Sequence, residues 1–466
     1  MLQDQAIAIL KTGANVFLTG EPGSGKSYTI NKYVAYLRER NIDVAITAST
    51  GIAATHISGM TLHSWSGIGI LPSLSERELA KIAGSKHIIK RVRNAKVLII
   101  DEVSMLTPET IDMVDAVCRV GRENPSPFGG LQVIFVGDFF QMPPVVKKDF
   151  NADKNDQSDL FGDDERIKRF SYNSSAWNRA KPVVCYLTEQ HRQDDDSYSE
   201  LLMAIRSNQF SDTHLGHITG RIVSENKIPD DIPKLYTHNL DVDKLNNRML
   251  AKLPGKSHFF DMRSFGADPV VAGLKRGCLS PETLYLKEGA VVMFTKNNPK
   301  EGFANGTLGS IVEFDKSNGW PIVKTKGGIL INVEPMDWVV EEDGKAKGSI
   351  TQFPLRLAWA ITVHKSQGMT LDEAVMDLRK VFEYGQGYVA LSRVRRLSGL
   401  HILGWNERAL QVHPEILAQD ESFHIASDEA ETEYSTLSED ELQGLQDNFI
   451  NLCNGKQISK PKKTHK

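Results

Sequence analysis

A glycine-rich octapeptide near the start of the chain has the composition of a phosphate-binding loop. Residues 20–27 read Gly-Glu-Pro-Gly-Ser-Gly-Lys-Ser and fit the pattern G-x-x-x-x-G-K-[ST] in full. Its glycines let backbone N–H groups close around phosphate oxygens, and the start of the following helix adds a positive dipole end. Lys26 is expected to reach the β- and γ-phosphates of ATP, and Ser27 to ligate Mg²⁺. The predicted ATP-binding residues are Gly20, Pro22, Gly23, Ser24, Gly25, Lys26, Ser27 and Tyr28.

Two further motifs supply groups that phosphoryl transfer requires. Asp101 and Glu102 follow an apolar run directly. We expect Asp101 to hold the magnesium ion and Glu102 to be the general base for the attacking water. Gln141 lies within residues 137–144, Gly-Asp-Phe-Phe-Gln-Met-Pro-Pro, where its amide would orient that water or sense the γ-phosphate. The three motifs together predict ATP hydrolysis with Lys26, Glu102 and Gln141 as catalytic residues.

The elements that position these motifs are short apolar strands alternating with helical stretches. Four runs, at residues 15–19, 44–47, 97–100 and 132–136, are continuously apolar, as in strands that helices cover on both faces. This alternation predicts a parallel α/β sheet, which binds ligands at the carboxyl ends of its strands. Each of the three motifs follows one of these runs.

The length of 466 residues exceeds what one hydrophobic core supports, so we expect two large domains. A charged, helix-prone insertion occupies residues 66–94, and a stretch rich in Asp, Lys and Asn at 147–170 predicts a mobile loop. Strand-like pieces separated by Gly, Asn and Asp between 285 and 350 predict a small antiparallel barrel. We predict a first lobe over residues 1–175, a second lobe over 176–284 and 351–410, the barrel over 285–350 and a C-terminal tail over 411–466.

Composition excludes several classes of protein. Hydrophobic residues make up 40% and charged residues 24% of the chain, as in ordinary globular proteins, and no apolar run approaches the ~20 residues of a membrane helix. Four cysteines without a CxxC pair argue against a zinc module or disulfide framework and for a reducing compartment. With no secretory signal at the N-terminus, we expect the cytoplasm or another reducing soluble compartment. The net charge of −4 neither indicates nor excludes a nucleic-acid partner.

The C-terminal tail has an uneven charge distribution. Residues 415–447 are acidic and contain no Lys or Arg, whereas the chain turns basic from Lys456. We expect a solvated tail with one helix over residues 438–452, whose first four residues, Ser-Glu-Asp-Glu, form a capping box.

At this point the ordered motifs resemble those of superfamily-one helicases, most closely the Pif family (petite integration frequency). Residues 20–27, 48–54, 101–105 and 137–144 resemble motifs I, Ia, II and III, and residues 187–193, 360–370 and 388–395 resemble motifs IV, V and VI. Residues 61–64 resemble a further element of the family, and Trp177 falls in its signature region. The resemblance runs from about Gln5 to Leu403, and it covers neither the loop at 151–165 nor the tail after Arg408.

The resemblance implies two tandem RecA-like lobes with a wedge-like insertion at 66–94 and the barrel inserted into the second lobe. It implies that Arg192 and Arg393 reach across the cleft as arginine fingers, which also makes hydrolysis depend on closure of the lobes. It further implies that Gln5 reads the adenine base and that Gly368 contributes to the nucleotide site.

The resemblance also implies a track for single-stranded DNA. The predicted contacts are Thr50, Gly51, Thr61 and His63 on the first lobe and Thr362, His364 and Lys365 on the second. Because these residues would hold phosphates, binding is expected to be salt-sensitive and largely independent of sequence. The basic residues of the insertion, Lys86, Lys90, Arg91 and Arg93, are either part of a strand-separating wedge or a solvated helix. Trp320 and Trp338 are interpreted as core residues rather than base-stacking ones.

The function that the resemblance implies is ATP-driven 5′→3′ translocation on single-stranded DNA with unwinding of tailed or structured duplex, in replication, repair or recombination. We expect a monomer that can dimerise on DNA, with no membrane partner. Three alternatives remain open from the sequence. They are an RNA helicase on the same scaffold, a translocase that unwinds poorly, and a P-loop switch without motor activity, against which the motifs of the second lobe argue.

Overall fold

The computed structural model describes residues 1–57, 59–69, 71–144, 169–189, 195–224, 232–236, 242–342, 345–363, 366 and 369–458. The helices are Gln3–Lys11 (α1), Lys26–Glu39 (α2), Gly51–His56 (α3), Leu62–Ser66 (α4), Glu76–Ala83 (α5), Lys86–Asn94 (α6), Pro108–Arg122 (α7), Ser175–Ala180 (α8), Asp196–Arg206 (α9), Asp212–Thr219 (α10), Val242–Lys252 (α11), Asp268–Gly277 (α12), Gln386–Leu391 (α13), Pro414–Thr436 (α14) and Glu439–Leu452 (α15). The strands are Val16–Gly20 (β1), Val44–Ala48 (β2), Met60–Thr61 (β3), Val97–Asp101 (β4), Gln132–Val136 (β5), Val183–Leu187 (β6), Lys234–Tyr236 (β7), His258–Asp261 (β8), Arg263–Gly266 (β9), Thr283–Leu286 (β10), Val291–Phe294 (β11), Leu308–Phe314 (β12), Pro321–Thr325 (β13), Leu330–Asn332 (β14), Met336–Glu342 (β15), Lys345–Gln352 (β16), Leu355–Leu357 (β17), Ala360–Thr362 (β18), Ala374–Leu378 (β19) and Leu400–Trp405 (β20).

The first lobe is a six-stranded sheet with the order β3-β2-β4-β5-β1-β6, in which every pair is parallel. The four apolar runs predicted as strands are β1, β2, β4 and β5, so the parallel α/β prediction is confirmed. All residues of β1 and β5 are buried because helices cover both faces of the sheet. Each strand therefore delivers its motif to the carboxyl edge of the sheet.

The predicted boundary of the first lobe at residue 175 is wrong. Strand β6 pairs in parallel with β1, with Val16 opposite Val183 and Gly20 opposite Leu187, so it belongs to the first sheet. The run Val-Val-Cys-Tyr-Leu is apolar enough to be buried beside β1, and the two α/β units have similar strands. The lobe to which β6 belongs is decided only by its pairing partner β1, which is remote in sequence.

The charged insertion at residues 66–94 forms the two helices α5 and α6, which pack on α7 of the first lobe. Ile82 and Val92 are their buried residues. Ser75 caps α5 through a capping box with Glu78, whose backbone N–H donates to the Ser75 hydroxyl at 3.3 Å. The insertion is thus an ordered helical pair rather than a loop.

The second lobe is built on a parallel four-stranded sheet with the order β18-β7-β19-β20. Three of its strands, β18, β19 and β20, follow the inserted β region along the chain. The two lobes therefore have the RecA-like α/β architecture that the resemblance implied.

The inserted β region is larger than the predicted range 285–350. A five-stranded antiparallel sheet has the order β14-β13-β12-β11-β17, a three-stranded sheet the order β15-β16-β9, and β8 pairs with β10. The region begins with β8 at residue 258 and ends with β17 at residue 357. Trp338 is buried against Leu274, Val340 and Ile350 beneath the three-stranded sheet, so it is a core residue. Trp320 is partly buried and meets Phe353 edge-on, with ring centroids 6.2 Å apart.

The expectation of a solvated C-terminal tail is wrong for residues 414–458. The predicted helix with its capping box exists as α15, where the Glu441 carboxylate accepts the Ser438 backbone N–H at 2.8 Å. A second helix, α14, precedes it and covers β6. Ser427 on α14 accepts the backbone N–H of Tyr186 at 3.0 Å, which satisfies a group on an edge strand. Acidic composition suggested solvation, but both helices bury an apolar side, including Phe423 and Phe449.

Within the described residues, no helix combines the length and the apolar character needed to cross a membrane.

Phe449→Ala is expected to destabilise the first lobe by about 3–5 kcal/mol, because Phe449 is buried on α15 against Gly13 and truncation leaves a cavity. Urea unfolding followed by far-UV circular dichroism measures this change. The control is Leu452→Ala on the same helix, where the side chain is 73% exposed and the change should stay within about 0.5 kcal/mol. Equal, small effects of both variants would show that α15 does not contribute to the lobe.

Candidate functional site

The glycine-rich loop connects β1 to α2 and is packed too closely for side chains at its glycines. Gly20, Gly23 and Gly25 have φ angles of 137°, 100° and 87°, a region that other residues avoid. A β-carbon at Gly20 would lie 2.6 Å from the Leu187 carbonyl oxygen. A β-carbon at Gly25 would overlap the side-chain amide of Gln3. The loop therefore presents backbone rather than side chains to a ligand at the start of α2, as phosphate binding requires.

Two polar side chains of this loop point to an anionic ligand. Ser24 is fully buried, and its hydroxyl finds no hydrogen-bond partner among the described residues. The Lys26 ammonium donates to the carbonyl oxygens of Gly20 and Glu21 at 2.7 and 2.9 Å, which holds it over the loop. Ser27 and Tyr28, in the first turn of α2, have exposed side chains. These residues fit a nucleotide phosphate chain.

The two acidic residues lie where β4 ends, beside this loop. Glu102 has a φ of 51° and begins a short 3-10 helix, so the chain turns sharply, and its N–H donates to the Asp101 carboxylate at 2.9 Å. Removal from water raises the pKa of both carboxyls, and the charge of Asp101 raises the pKa of Glu102 further. The positive charge of Lys26 lowers both pKa values. A raised pKa makes Glu102 a stronger base, as proton abstraction from water requires.

The second lobe completes the site from the opposite side. Arg393 follows α13 and is only 1% exposed, with its Nε donating to the Val389 carbonyl oxygen at 2.8 Å. Its charge lowers the pKa of Glu102, which places the guanidinium near the carboxylate of the other lobe. A β-carbon at Gly385 would lie 2.7 Å from the carbonyl oxygen of Gln141, so the two lobes meet closely here. Arg192 and Gly368 lie outside the described residues.

The structure places Gln3, rather than the predicted Gln5, beside the phosphate-binding loop. Gln5 turns away from the loop, since its amide donates to Glu431 at 2.9 Å and its oxygen accepts the Leu2 N–H at 2.7 Å. Gln3 is buried and donates to the Ser24 carbonyl oxygen at 3.2 Å. Two residues along a helix differ by about 200° in direction, so only one of the two can face the loop. Gln3, which the sequence analysis missed, lies against the site.

A groove of about 490 Å³ separates the first lobe from the inserted β region. Gly51, Thr61 and His63 line one wall, and Val270, Gly273 and Leu274 of α12 line the other. Three of the predicted DNA contacts therefore lie together. Burial lowers the pKa of His63, so its imidazole is neutral at physiological pH and can accept or donate a hydrogen bond.

The remaining predicted DNA contacts are placed differently. Thr50 is absent from the groove lining, and its hydroxyl accepts the Ala53 N–H at 3.2 Å at the start of α3. Thr362 ends β18 and is buried in the second lobe. His364 and Lys365 lie outside the described residues. The wall formed by α12 was not identified from the sequence, since nothing in its composition reveals which lobe it faces.

The arginines of the helical insertion are bound to the first lobe. Arg91, which also lines the groove, donates to the Ser64 carbonyl oxygen at 3.1 Å. Arg93 donates to the Gly121 carbonyl oxygen at 2.7 Å and forms an ion pair with Glu123. These contacts hold α6 against the lobe, and a strand-separating role stays a prediction.

Two RecA-like lobes that share a phosphate-binding loop, an Asp-Glu pair and an arginine from the opposite side define a two-lobed P-loop ATPase. Comparison with known proteins specifies which kind. Residues 3–227 match the family model "PIF1-like helicase", and residues 272–314 match "DNA helicase Pif1, 2B domain".

A relative from Psychrobacter sp., "ATP-dependent DNA helicase Pif1", is 39% identical over 511 residues, which cover 98% of this chain and 75% of the relative. The chain spans 63% of the length of a Xenopus laevis relative with 36% identity. Pif1 from Bacteroides sp. in complex with ADP-AlF4 is structurally similar, with a TM-score of 0.76, 29% identity and coverage of 91% of this chain and 96% of that one. A Bacteroides Pif1 in complex with ADP-AlF3 and single-stranded DNA has a TM-score of 0.61, with the same identity and coverage. The chain belongs to the PIF1-like helicase family and is an ATP-dependent DNA helicase.

Gln3→Ala is expected to weaken ATP binding about tenfold, whereas Gln5→Ala, its matched control, should leave it unchanged. The reason is that only Gln3 contacts the phosphate-binding loop. Equilibrium binding of a fluorescent ATP analogue measures both variants. The same titration with a GTP analogue separates two roles of Gln3. A loss of affinity for the ATP analogue alone indicates adenine recognition, whereas an equal loss for both analogues indicates support of the loop. A larger loss in Gln5→Ala would contradict the assignment.

Proposed function

We propose that the protein couples ATP hydrolysis in the cleft between its lobes to 5′→3′ movement along single-stranded DNA, and that this movement unwinds duplex DNA. The observation that carries the proposal is the composition of the cleft, in which Glu102 and Lys26 come from the first lobe and Arg393 from the second. Such a site is complete only when the lobes are together, so hydrolysis and lobe movement are linked. The direction of movement is that of the family.

The residues present also fit a magnesium ion. Asp101, at the carboxyl end of β4, and Ser27, in the first turn of α2, would hold it next to the β- and γ-phosphates. Mg²⁺ would supply charge neutralisation of the phosphate oxygens there. A carboxylate and a hydroxyl are oxygen ligands, which this ion prefers.

The chain's own residues then divide the work of hydrolysis. The Glu102 carboxylate would take a proton from the water that attacks the γ-phosphorus, and the amide of Gln141 would orient that water. Lys26 and Arg393 would stabilise the charge that develops on the transferred phosphoryl group. Arg192 is proposed to assist from the second lobe.

Single-stranded DNA is proposed to pass along the groove lined by Gly51, Thr61 and His63, and on to the second lobe at Thr362, His364 and Lys365. One wall of the groove is lined by Gly51, Thr61 and the neutral imidazole of His63, and such small and polar residues suit a phosphate backbone without reading bases. The Bacteroides relative bound to single-stranded DNA supports this partner.

The biological setting follows from the same proposal. Cys118, Cys185 and Cys453 are buried free thiols, as in proteins of a reducing compartment such as the cytoplasm. We propose roles in DNA replication, repair or recombination, carried out by a monomer that can pair with a second copy on DNA.

Lys26→Ala is expected to abolish ATP hydrolysis while leaving most of the affinity for single-stranded DNA, since the phosphate-binding loop and the proposed DNA groove use different residues. Phosphate release and fluorescence anisotropy of a labelled oligonucleotide measure the two properties. Lys32→Ala is the control, because this exposed residue of α2 pairs with Asp4 outside the loop. Equal loss of both properties in a folded Lys26→Ala protein would overturn the separation of the two sites.

Arg393→Ala is expected to lower kcat by roughly 10³-fold or more with little change in ATP affinity, because a finger arginine acts on charge that develops during the reaction. Rapid-quench hydrolysis and nucleotide binding distinguish kcat from affinity. Because Arg393 is buried, the melting temperature of the variant is compared with that of the wild type. Unchanged turnover in the folded variant would exclude the finger role.

A further inference from the structure

A buried guanidinium outside the motifs described above occupies the junction of the two lobes. Arg206 is the last residue of α9 and is only 6% exposed. Its Nη1 donates to both oxygens of the Asp138 carboxylate, at 2.9 and 3.1 Å. A fully desolvated ion pair of this kind is costly to break, because either charge left alone stays without compensation.

On the first lobe, Arg206 holds the loop that carries Gln141. Its guanidinium lies over the ring of Phe140, 3.9 Å from the ring centroid. The backbone N–H of Phe140 donates to the Asp138 carboxylate at 3.1 Å, and the N–H of Gln141 donates to the Asp138 carbonyl oxygen at 3.1 Å. Asp138 therefore organises the turn that presents Gln141, and Arg206 fixes Asp138.

On the second lobe, the same guanidinium contacts the helix that leads to Arg393. Arg206 Nη1 donates to the Tyr388 hydroxyl at 3.3 Å, and Tyr388 lies on α13, five residues before Arg393. The other end of α9 is also joined to α13, since the Tyr198 hydroxyl donates to the Leu391 carbonyl oxygen. Helices α9 and α13 thus form one unit.

Two more contacts extend this arrangement to the edge of the first sheet. Arg206 Nη2 donates to the Tyr186 hydroxyl on β6 at 2.6 Å and lies 3.6 Å from the Asp420 carboxylate on α14. A planar fork can meet these partners simultaneously from one position, whereas the single ammonium of a lysine cannot.

We propose that Arg206 is a positioning residue for ATP hydrolysis, which sets the Gln141 loop of the first lobe against α13, the helix that precedes Arg393 in the second lobe. The proposal rests on the ATPase activity described above and assigns Arg206 no contact with the nucleotide. In this arrangement of the lobes, the guanidinium contacts all of these partners at once. The buried ion pair therefore favours this arrangement. A displaced Gln141 loop would slow the reaction without weakening the hold of the phosphate-binding loop on ATP.

The test is the DNA-stimulated ATPase of Arg206→Lys, with kcat and KM for ATP determined separately. We expect kcat to fall roughly 10- to 100-fold, as for small misplacements of reacting groups, with KM unchanged. The matched control is Arg179→Lys, which replaces the arginine of another ion pair with a buried carboxylate, Asp115, wholly within the first lobe. This control should keep the wild-type kcat.

A second variant keeps the test decisive if Arg206→Lys loses stability. Asp138→Asn preserves shape and removes the charge, so it should give the same fall in kcat, and the double variant should be no slower than either single one. Wild-type kcat in a folded single variant, or additive losses in the double variant, would overturn the proposal. An inactive wild type would instead refute the proposed function on which it rests.

Discussion

The proposed catalysis depends on the approach of two charged groups that belong to different lobes. Glu102 is delivered by β4 of the first sheet, and Arg393 follows α13 of the second lobe, close enough for its charge to act on the carboxylate. Neither lobe contains both groups, so the proposed chemistry requires the lobes to meet. The rest of the structure either builds the two lobes or determines how they meet.

The first lobe is stabilised by parts of the chain that lie far from its motifs in sequence. Strand β6 extends the sheet next to β1, and α14 covers β6 with Phe423 packed against Phe17, at 5.1 Å between ring centroids. The C-terminal helices are therefore part of the ATP-binding lobe. Because α14 also reaches Arg206 through Asp420, the C-terminal region connects to the lobe junction.

Much of the fold and the nucleotide site could be predicted from the sequence, because those features are local. Four strands of the first sheet and the loop at residues 20–27 follow from apolar runs and glycine spacing alone. The errors involve long-range partners. An apolar run such as β6 fits either lobe, and Gln3 and Gln5 are both polar residues near the start of α1, although only Gln3 faces the loop.

The C-terminal tail and the groove also depend on long-range contacts that the sequence does not reveal. The acidic residues of α14 and α15 suggested solvation, yet both helices bury apolar residues against the first lobe, including Phe423 on α14 and Phe449 on α15. The groove is formed only when α12, from the inserted β region, approaches the first lobe, where the backbones of Gly51 and Gly277 are in close contact. No local pattern encodes that approach.

Closure of this cleft is proposed to move DNA in one direction. The most direct measurement is ATP-dependent strand displacement on two matched duplexes, one with a 5′ and one with a 3′ single-stranded tail, at equal and low salt. Under this proposal, only the 5′-tailed duplex is expected to be unwound, and only with hydrolysable ATP. Unwinding of the 3′-tailed duplex, or displacement that proceeds equally without hydrolysis, would contradict it.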